Sequence, residues 1–225
     1  MNKKLMKVFA ALWVLMLALA AAGQERCVRP VDEAAEDKSF LEVRKKLIDA
    51  AERKDSAYIM SILDPNVRVS FGGDAGVEDF KKFWEITTGD TRFWEEFLPV
   101  IKNGGRWHRE NGRRTIFTAP YSFDGFPGDL DAFEHFVVFG SEVNLREAPE
   151  MNGKVLEKLS YNVVRVDDEN FVEGSEEKVD WYLITTLTGK TGWVKAEYIR
   201  SPIDYRAGFE KKGGKWKMIF FIAGD

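Results

Sequence analysis

Val143-Asn144-Leu145-Arg146-Glu147-Ala148-Pro149 opens a stretch that continues as Val155-Leu156-Glu157-Lys158-Leu159-Ser160-Tyr161 and Val163-Val164-Arg165-Val166. After an acidic segment it resumes at Trp181-Tyr182-Leu183-Ile184, turns at Thr188-Gly189-Lys190, and ends Gly192-Trp193-Val194-Lys195-Ala196-Glu197-Tyr198-Ile199. Each run is short, rich in β-branched and aromatic residues, and bounded by Gly, Pro, Asn or Asp. Such runs read as strands joined by tight turns. In succession they predict a small all-β barrel or sandwich.

The order of the landmarks is more specific than any one of them. An opening V-N-L-R-x-x-P, a central L-S-Y, a W-Y-x-I and a closing G-x-T-G-W-V-x-x-x-Y-I resemble the bacterial SH3-like (SH3b) domain. The resemblance implies that fold for residues 139–200, and a habit of binding peptides or cell-wall polymers. Aromatic-lined grooves hold extended peptides in SH3 domains. The candidate ligand-binding residues are therefore Tyr161, Trp181, Tyr182 and Tyr198. Tyr161 and Tyr198 end apolar runs, where an aromatic body with a polar tip suits a groove rim. Trp181 and Tyr182 are strand neighbours on opposite faces, so at most one is expected to be exposed. Trp193 alternates with apolar neighbours and is expected in the core. The acidic segment Asp167 to Asp180 is expected to be a long solvated loop.

Before this module the chain turns helical. Phe40, Val43, Leu47 and Ala51 recur at helix spacing, and Asp55 can cap a second helix carrying Tyr58, Ile59, Ile62 and Leu63. Asp64-Pro65-Asn66 is expected to hand over to a strand, Val67 to Phe71. Two further helices follow, one with Val77, Phe80, Phe83 and Trp84, the other with Phe93, Trp94, Phe97, Leu98 and Ile101. Asn103-Gly104-Gly105 stops the last one. Arg106–Arg109 and Arg113–Phe117 flank Glu110-Asn111-Gly112 and read as a hairpin. Pro120 to Asp129 is a loop, and Phe133 to Phe139 a strand.

After the module, Tyr205–Glu210 and Trp216–Ile222 are joined by Lys211-Lys212-Gly213-Gly214-Lys215, a strong hairpin signal. A lone hairpin is marginally stable in water and must join a sheet. The helical region has too few strands to cover its helices, so the hairpin is expected to pack there. This gives a discontinuous α+β domain, residues 31–138 plus 201–225, with the SH3-like barrel inserted. The helix–strand order and the Y-R-x-x-F-E-x-x-x-G-K-W-K-M hairpin pattern resemble the cone-like NTF2-like (SnoaL-like) fold. That resemblance implies a helix-and-sheet domain closed by the C-terminal hairpin.

The first residues read as a targeting segment. Lys3, Lys4 and Lys7 precede an apolar run, Val8 to Leu19, and Ala20-Ala21-Ala22 supplies small residues for cleavage. A signal peptide over 1–22 implies an exported protein, periplasmic or extracellular, with no membrane attachment after cleavage. Three of the 33 Lys and Arg residues lie there and no carboxylate does, so the net charge moves from −4 to −7 without it. Such an acidic protein lacks a general attraction to nucleic acid. The single Cys27 excludes an internal disulfide and is expected in a mobile leader.

Catalytic signals are few. The chain has 2 histidines. His108 sits among Arg106, Arg109 and Glu110 and reads as solvent-exposed. His135 alternates with Phe133 and Val137, and in a cone-like domain that strand face could line a pocket. Neither has a partner at metal-ligand spacing, so no metal and no cofactor is expected. No nucleophile elbow, P-loop or dinucleotide fingerprint is present. The reading is a non-enzymatic binding protein that recognises a peptide, a cell-wall fragment or an envelope protein. The alternative is an NTF2-like small-ligand-binding or weakly catalytic domain with the SH3-like module as a targeting accessory. A pocket filled by Phe and Trp would favour the first, and a deep polar pocket with His135 the second.

Overall fold

The structure, a computed structural model, describes residues 24–89, 91–174 and 178–224. The expected signal segment lies outside the described residues. In chain order these residues form α1 (Lys38–Glu52), α2 (Ser56–Ile62), β1 (Leu63–Arg68), α3 (Val77–Trp84), α4 (Arg92–Lys102), β2 (Arg106–Glu110) and β3 (Arg113–Ala119). There follow β4 (His135–Val138), β5 (Val143–Arg146), β6 (Val155–Leu159), β7 (Val163–Glu173), β8 (Val179–Thr186), β9 (Thr191–Lys195) and β10 (Ile199–Arg200). The C-terminal strands are β11 (Arg206–Lys212) and β12 (Lys215–Ile222). The described residues divide into two compact units, one from 28–132 with 201–224, the other from 133–200 with 24–27.

The first unit is α+β. Its first two helices begin where short acidic side chains satisfy free N–H groups: Asp37 accepts from the Ser39 and Phe40 amides at 2.8 and 3.1 Å, and Asp55 from the Tyr58 amide at 3.0 Å. The five strands run β1-β12-β11-β3-β2, with β1 parallel to β12 and the other pairs antiparallel. The C-terminal hairpin is thus the middle of the sheet. Both hairpin turns have two left-handed residues, Asn111 (φ 50) with Gly112 (φ 77) and Gly213 (φ 56) with Gly214 (φ 79). This is the turn whose twist matches the flanking strands.

One strand starts earlier than expected. β1 opens at Leu63 and takes in Asp64 and Pro65. It lies at the sheet edge, where proline's missing N–H costs no ladder bond.

Aromatic rings fill the layer between helices and sheet. Phe40, Phe80, Phe93, Phe97, Phe117, Phe209 and Phe221 are all buried to within 2 %. Phe40 from α1 meets Phe117 at 4.4 Å, Trp216 at 4.9 Å, and Trp107 and Phe209 at 5.5 Å between ring centroids. Burying each such side chain stabilises the fold by about 1.5–3 kcal/mol relative to exposure. Arg44 is buried in the same unit and ties α1 to the end of α4. It donates through Nε and Nη2 to the Ile101 carbonyl at the end of α4, at 3.1 and 2.8 Å, and pairs with Asp32 at 2.5 Å.

The second unit is all-β, with strand order β10-β4-β7-β8-β9-β5-β6. Val138, Val143, Leu145, Leu159, Val164, Val166, Ile184 and Val194 form its core. Gly192 stands where β9 crosses β5, and a Cβ there would lie 2.7 Å from the Arg146 carbonyl oxygen. Three expectations change here. Phe133–Val138 belongs to this unit, because β4 pairs with β7 (Phe136 opposite Val164) and with β10. Much of the acidic segment is strand, because Phe171, Val172 and Glu173 pair with Tyr182, Trp181 and Val179. Cys27, expected in a mobile leader, bridges Asn162, and the Arg26 carbonyl accepts from the Val163 amide at 2.8 Å; the thiol is exposed.

Candidate functional site

Two of the four expected aromatic residues meet in a groove of the all-β unit. Its lining includes Glu142, Val143, Arg146, Met151, Trp181, Lys195 and Tyr198, and its volume is about 170 Å³. Val143 and Arg146 come from β5, Trp181 from β8 and Lys195 from β9, and Tyr198 from the single helical turn Ala196–Tyr198 that follows. Trp181 is 4 % exposed and forms the floor, while Tyr198 is 40 % exposed and stands at the rim. Met151, in the β5–β6 turn, is the other exposed apolar group there.

Charge in the groove is held in place by local partners. The Lys195 ammonium lies 5.5 Å from the Trp181 ring centroid and 2.6 Å from Asp180. A cation over an indole face is attracted by the ring quadrupole. The Asp180 hydrogen bond, against the cost of desolvation, holds the Lys195 pKa above the ordinary lysine value, so this amine stays charged throughout the physiological range. Arg146 Nη1 donates to the Gly153 carbonyl at 2.7 Å, and Lys158 pairs with Glu142 at 2.8 Å. Glu142 has a left-handed backbone (φ 58), and its amide donates to Ser160 Oγ at 3.0 Å. The result is a shallow slot with an aromatic floor, an aromatic rim and fixed charges of both signs. A volume of this size is below the range of about 300–1,000 Å³ typical of small-molecule sites. It fits one inserted side chain or sugar-sized group of a ligand that runs across it.

The remaining candidates lie elsewhere. Tyr182 turns to the core side, where its ring meets Phe136 edge-on at 6.3 Å. Tyr161 is half-buried in the turn after β6 with φ 61, its amide donating to the Gly140 carbonyl at 2.9 Å. Trp193, expected in the core, is half-buried, and Val194 beside it is fully buried. His135, expected to line a pocket of the α+β domain, is corrected by the sheet topology. It sits in β4 opposite Arg165 of β7, in the other unit. Strand alternation predicted its strand but not which sheet that strand would join. Among the described residues no group of three His, Cys, Asp or Glu could hold a metal ion.

Sequence reasoning missed Lys195 and Arg146. Both stand in the landmark motifs, and what singles them out is register: Trp181 pairs with Lys195, and Arg146 with Trp193. His108, read as solvent-exposed, is exposed, and the fold of the α+β unit brings its Nδ1 to 3.9 Å from Asp124 Oδ1.

A family model described as the bacterial SH3 domain matches residues 141–200, the segment that carries the groove. A search of curated proteins finds no match. Among solved structures, a chain named Rd1NTF2_05, bearing five substitutions, aligns at 12% identity over 84% of this chain and 99% of its own, with a TM-score of 0.32. A chain from Xanthomonas campestris described as a calcium/calmodulin dependent protein kinase II association domain aligns at 11% identity over 87% of this chain and 96% of its own, with a TM-score of 0.29.

Proposed function

We propose that this is an exported, non-enzymatic binding protein whose bacterial SH3-type unit grips an extended ligand: a peptide, a cell-wall fragment or a segment of an envelope protein. The observation that carries the reading is the groove itself, with Trp181 beneath and Tyr198 beside a slot sized for one inserted group. Lys195 and Arg146 give that group hydrogen-bond donors, and Glu142 gives an acceptor. The N-terminal charge and apolar pattern supports export. The aromatic filling of the α+β layer supports a binding role over the rival that needed a polar pocket around His135.

Co-sedimentation with insoluble peptidoglycan sacculi, alongside a library of immobilised peptides, tests the assignment. The intact chain is expected to bind one of the two, and Tyr198→Ala to weaken that binding about tenfold, or 1.4 kcal/mol. Binding that Tyr198→Ala leaves unchanged would place the ligand outside the groove and defeat the proposal.

A further inference from the structure

The α+β unit carries a second cavity, of about 500 Å³, on the face of its sheet turned away from the helices. Strand alternation builds it. Phe117, Ala119, Ala207 and Phe209 point into the aromatic core, so Ile116, Thr118, Arg206 and Gly208 point the other way. Phe220 and Ile222 of β12 and His108 of β2 join them, Arg68 stands at the end of β1, and Phe71 and Phe123 close in from loops. Gly208 is needed for close approach, since a Cβ there would lie 2.2 Å from Phe220 Cε1. Its absence lets that ring rest on the sheet as the cavity floor.

Polar groups are few and fixed. Arg206 is 4 % exposed, with its guanidinium 5.4 Å from the Phe71 ring centroid and 4.8 Å from that of Phe123. It donates to the Ile203 and Gly224 carbonyls at 2.8 and 2.7 Å. Arg68 is exposed and its guanidinium lies 5.0 Å from the same Phe71 ring. Asp124 accepts from Thr118 Oγ1 at 2.6 Å and faces His108.

From this arrangement we infer that the cavity binds a small, largely apolar molecule carrying one anionic group, such as a carboxylate on a hydrocarbon body. Its volume lies within the usual small-ligand range of about 300–1,000 Å³. The walls are aromatic and branched aliphatic, so an apolar body is driven in by the surface it removes from water. Asp124, the carboxylate in the lining, already accepts a hydrogen bond from Thr118. Arg68 stands exposed at the open edge of the cavity, and a guanidinium is a strong charge-assisted donor to a carboxylate. Arg68, exposed at that edge, is the group placed to meet an incoming anion, while Arg206 stays engaged with the Ile203 and Gly224 carbonyls.

The test uses the full chain with anilinonaphthalene sulfonate, an apolar anionic dye, displaced by decanoate or by uncharged decanol. One equivalent of dye is expected to bind, with decanoate displacing it about tenfold more effectively than decanol. Arg68→Gln, a change at an exposed residue, is expected to remove most of that preference, and Ile116→Trp to abolish uptake by filling the space. Equal displacement by both compounds, or a preference untouched by Arg68→Gln, would overturn the inference. So would a dimer in sedimentation that takes up no dye, since a second copy would then cover the face. None of these outcomes depends on the groove of the other unit.

Discussion

Phe220 occupies the space directly over Gly208: a Cβ on that glycine would stand 2.2 Å from Cε1 and 2.4 Å from Cζ of the ring. The two residues are partners across the β11–β12 ladder, in the middle of the five-stranded sheet. Gly208→Ala must therefore push the ring off the sheet. Overpacking of this kind costs about 1–3 kcal/mol. The expected result is a lower urea midpoint with an unchanged slope, together with loss of decanoate binding. A variant as stable as the parent would show that the ring has another place to go.

Phe40 is the point where α1 meets β2, β3, β11 and β12, through Trp107, Phe117, Phe209 and Trp216. Phe40→Ala removes a fully buried ring from among four others, a change that costs about 3–5 kcal/mol. Phe83 is 50 % exposed, and Phe83→Ala is expected to cost under about 1 kcal/mol. Urea denaturation of both variants followed by circular dichroism checks the contrast. Equal losses would mean that the aromatic layer is not what holds the unit together.

Acid should loosen the α+β unit through three carboxylates held below their ordinary pKa. Burial works to raise the Asp64 pKa, but the hydrogen bond from Lys212, at 2.8 Å, and the Asn66 amide outweigh it. Burial of Glu33 is likewise outweighed, by the Trp107 amide and Arg109. Asp37 is held down first by Ser39 Oγ at 2.6 Å and then by the cap amides of α1. A depressed folded pKa gives stability that is present above the unfolded value, about 3.9 for Asp and 4.3 for Glu, and is lost as pH falls through the folded value. The urea midpoint should therefore fall steeply below about pH 4. Asp64→Asn should lower it at pH 7 and flatten the acid limb, and an acid limb of unchanged steepness would remove Asp64 from the account.

Local chemistry was legible where neighbours in sequence determine the outcome. Asp55 as a helix cap, Asn111-Gly112 and Gly213-Gly214 as turns, and the stripe of Phe40 and Leu47 all act within a few residues. The SH3-type module was legible because four short motifs occur there in one order, and the family model matches residues 141–200. The cavity on the outer sheet face was not, since Arg68, Ile116, Arg206 and Phe220 come together only once β1, β12, β11 and β3 lie side by side. The pairing of His108 with Asp124 needs the loop after β3 to fold back on β2. His135 shows the same limit from the other side, because the alternation of Phe133, His135 and Val137 fits either sheet equally well.

Tyr198 and Tyr182 are both tyrosines of the SH3-type unit, and they are expected to behave in opposite ways. Tyr198 is 40 % exposed at the groove rim, so Tyr198→Ala removes little packing and should change stability by under about 0.5 kcal/mol. Its effect should fall on ligand binding, by about tenfold. Tyr182 packs against the core that includes Val166 and Ile184, with its ring beside Phe136. Tyr182→Ala should lower the urea midpoint, at a cost of about 2–4 kcal/mol, while the protein that remains folded keeps its affinity. Titrating each variant with the ligand found on sacculi or peptides, after measuring its folded fraction, separates the two roles. If Tyr182→Ala abolished binding at full folding and Tyr198→Ala did not, recognition would belong to the opposite face of β8.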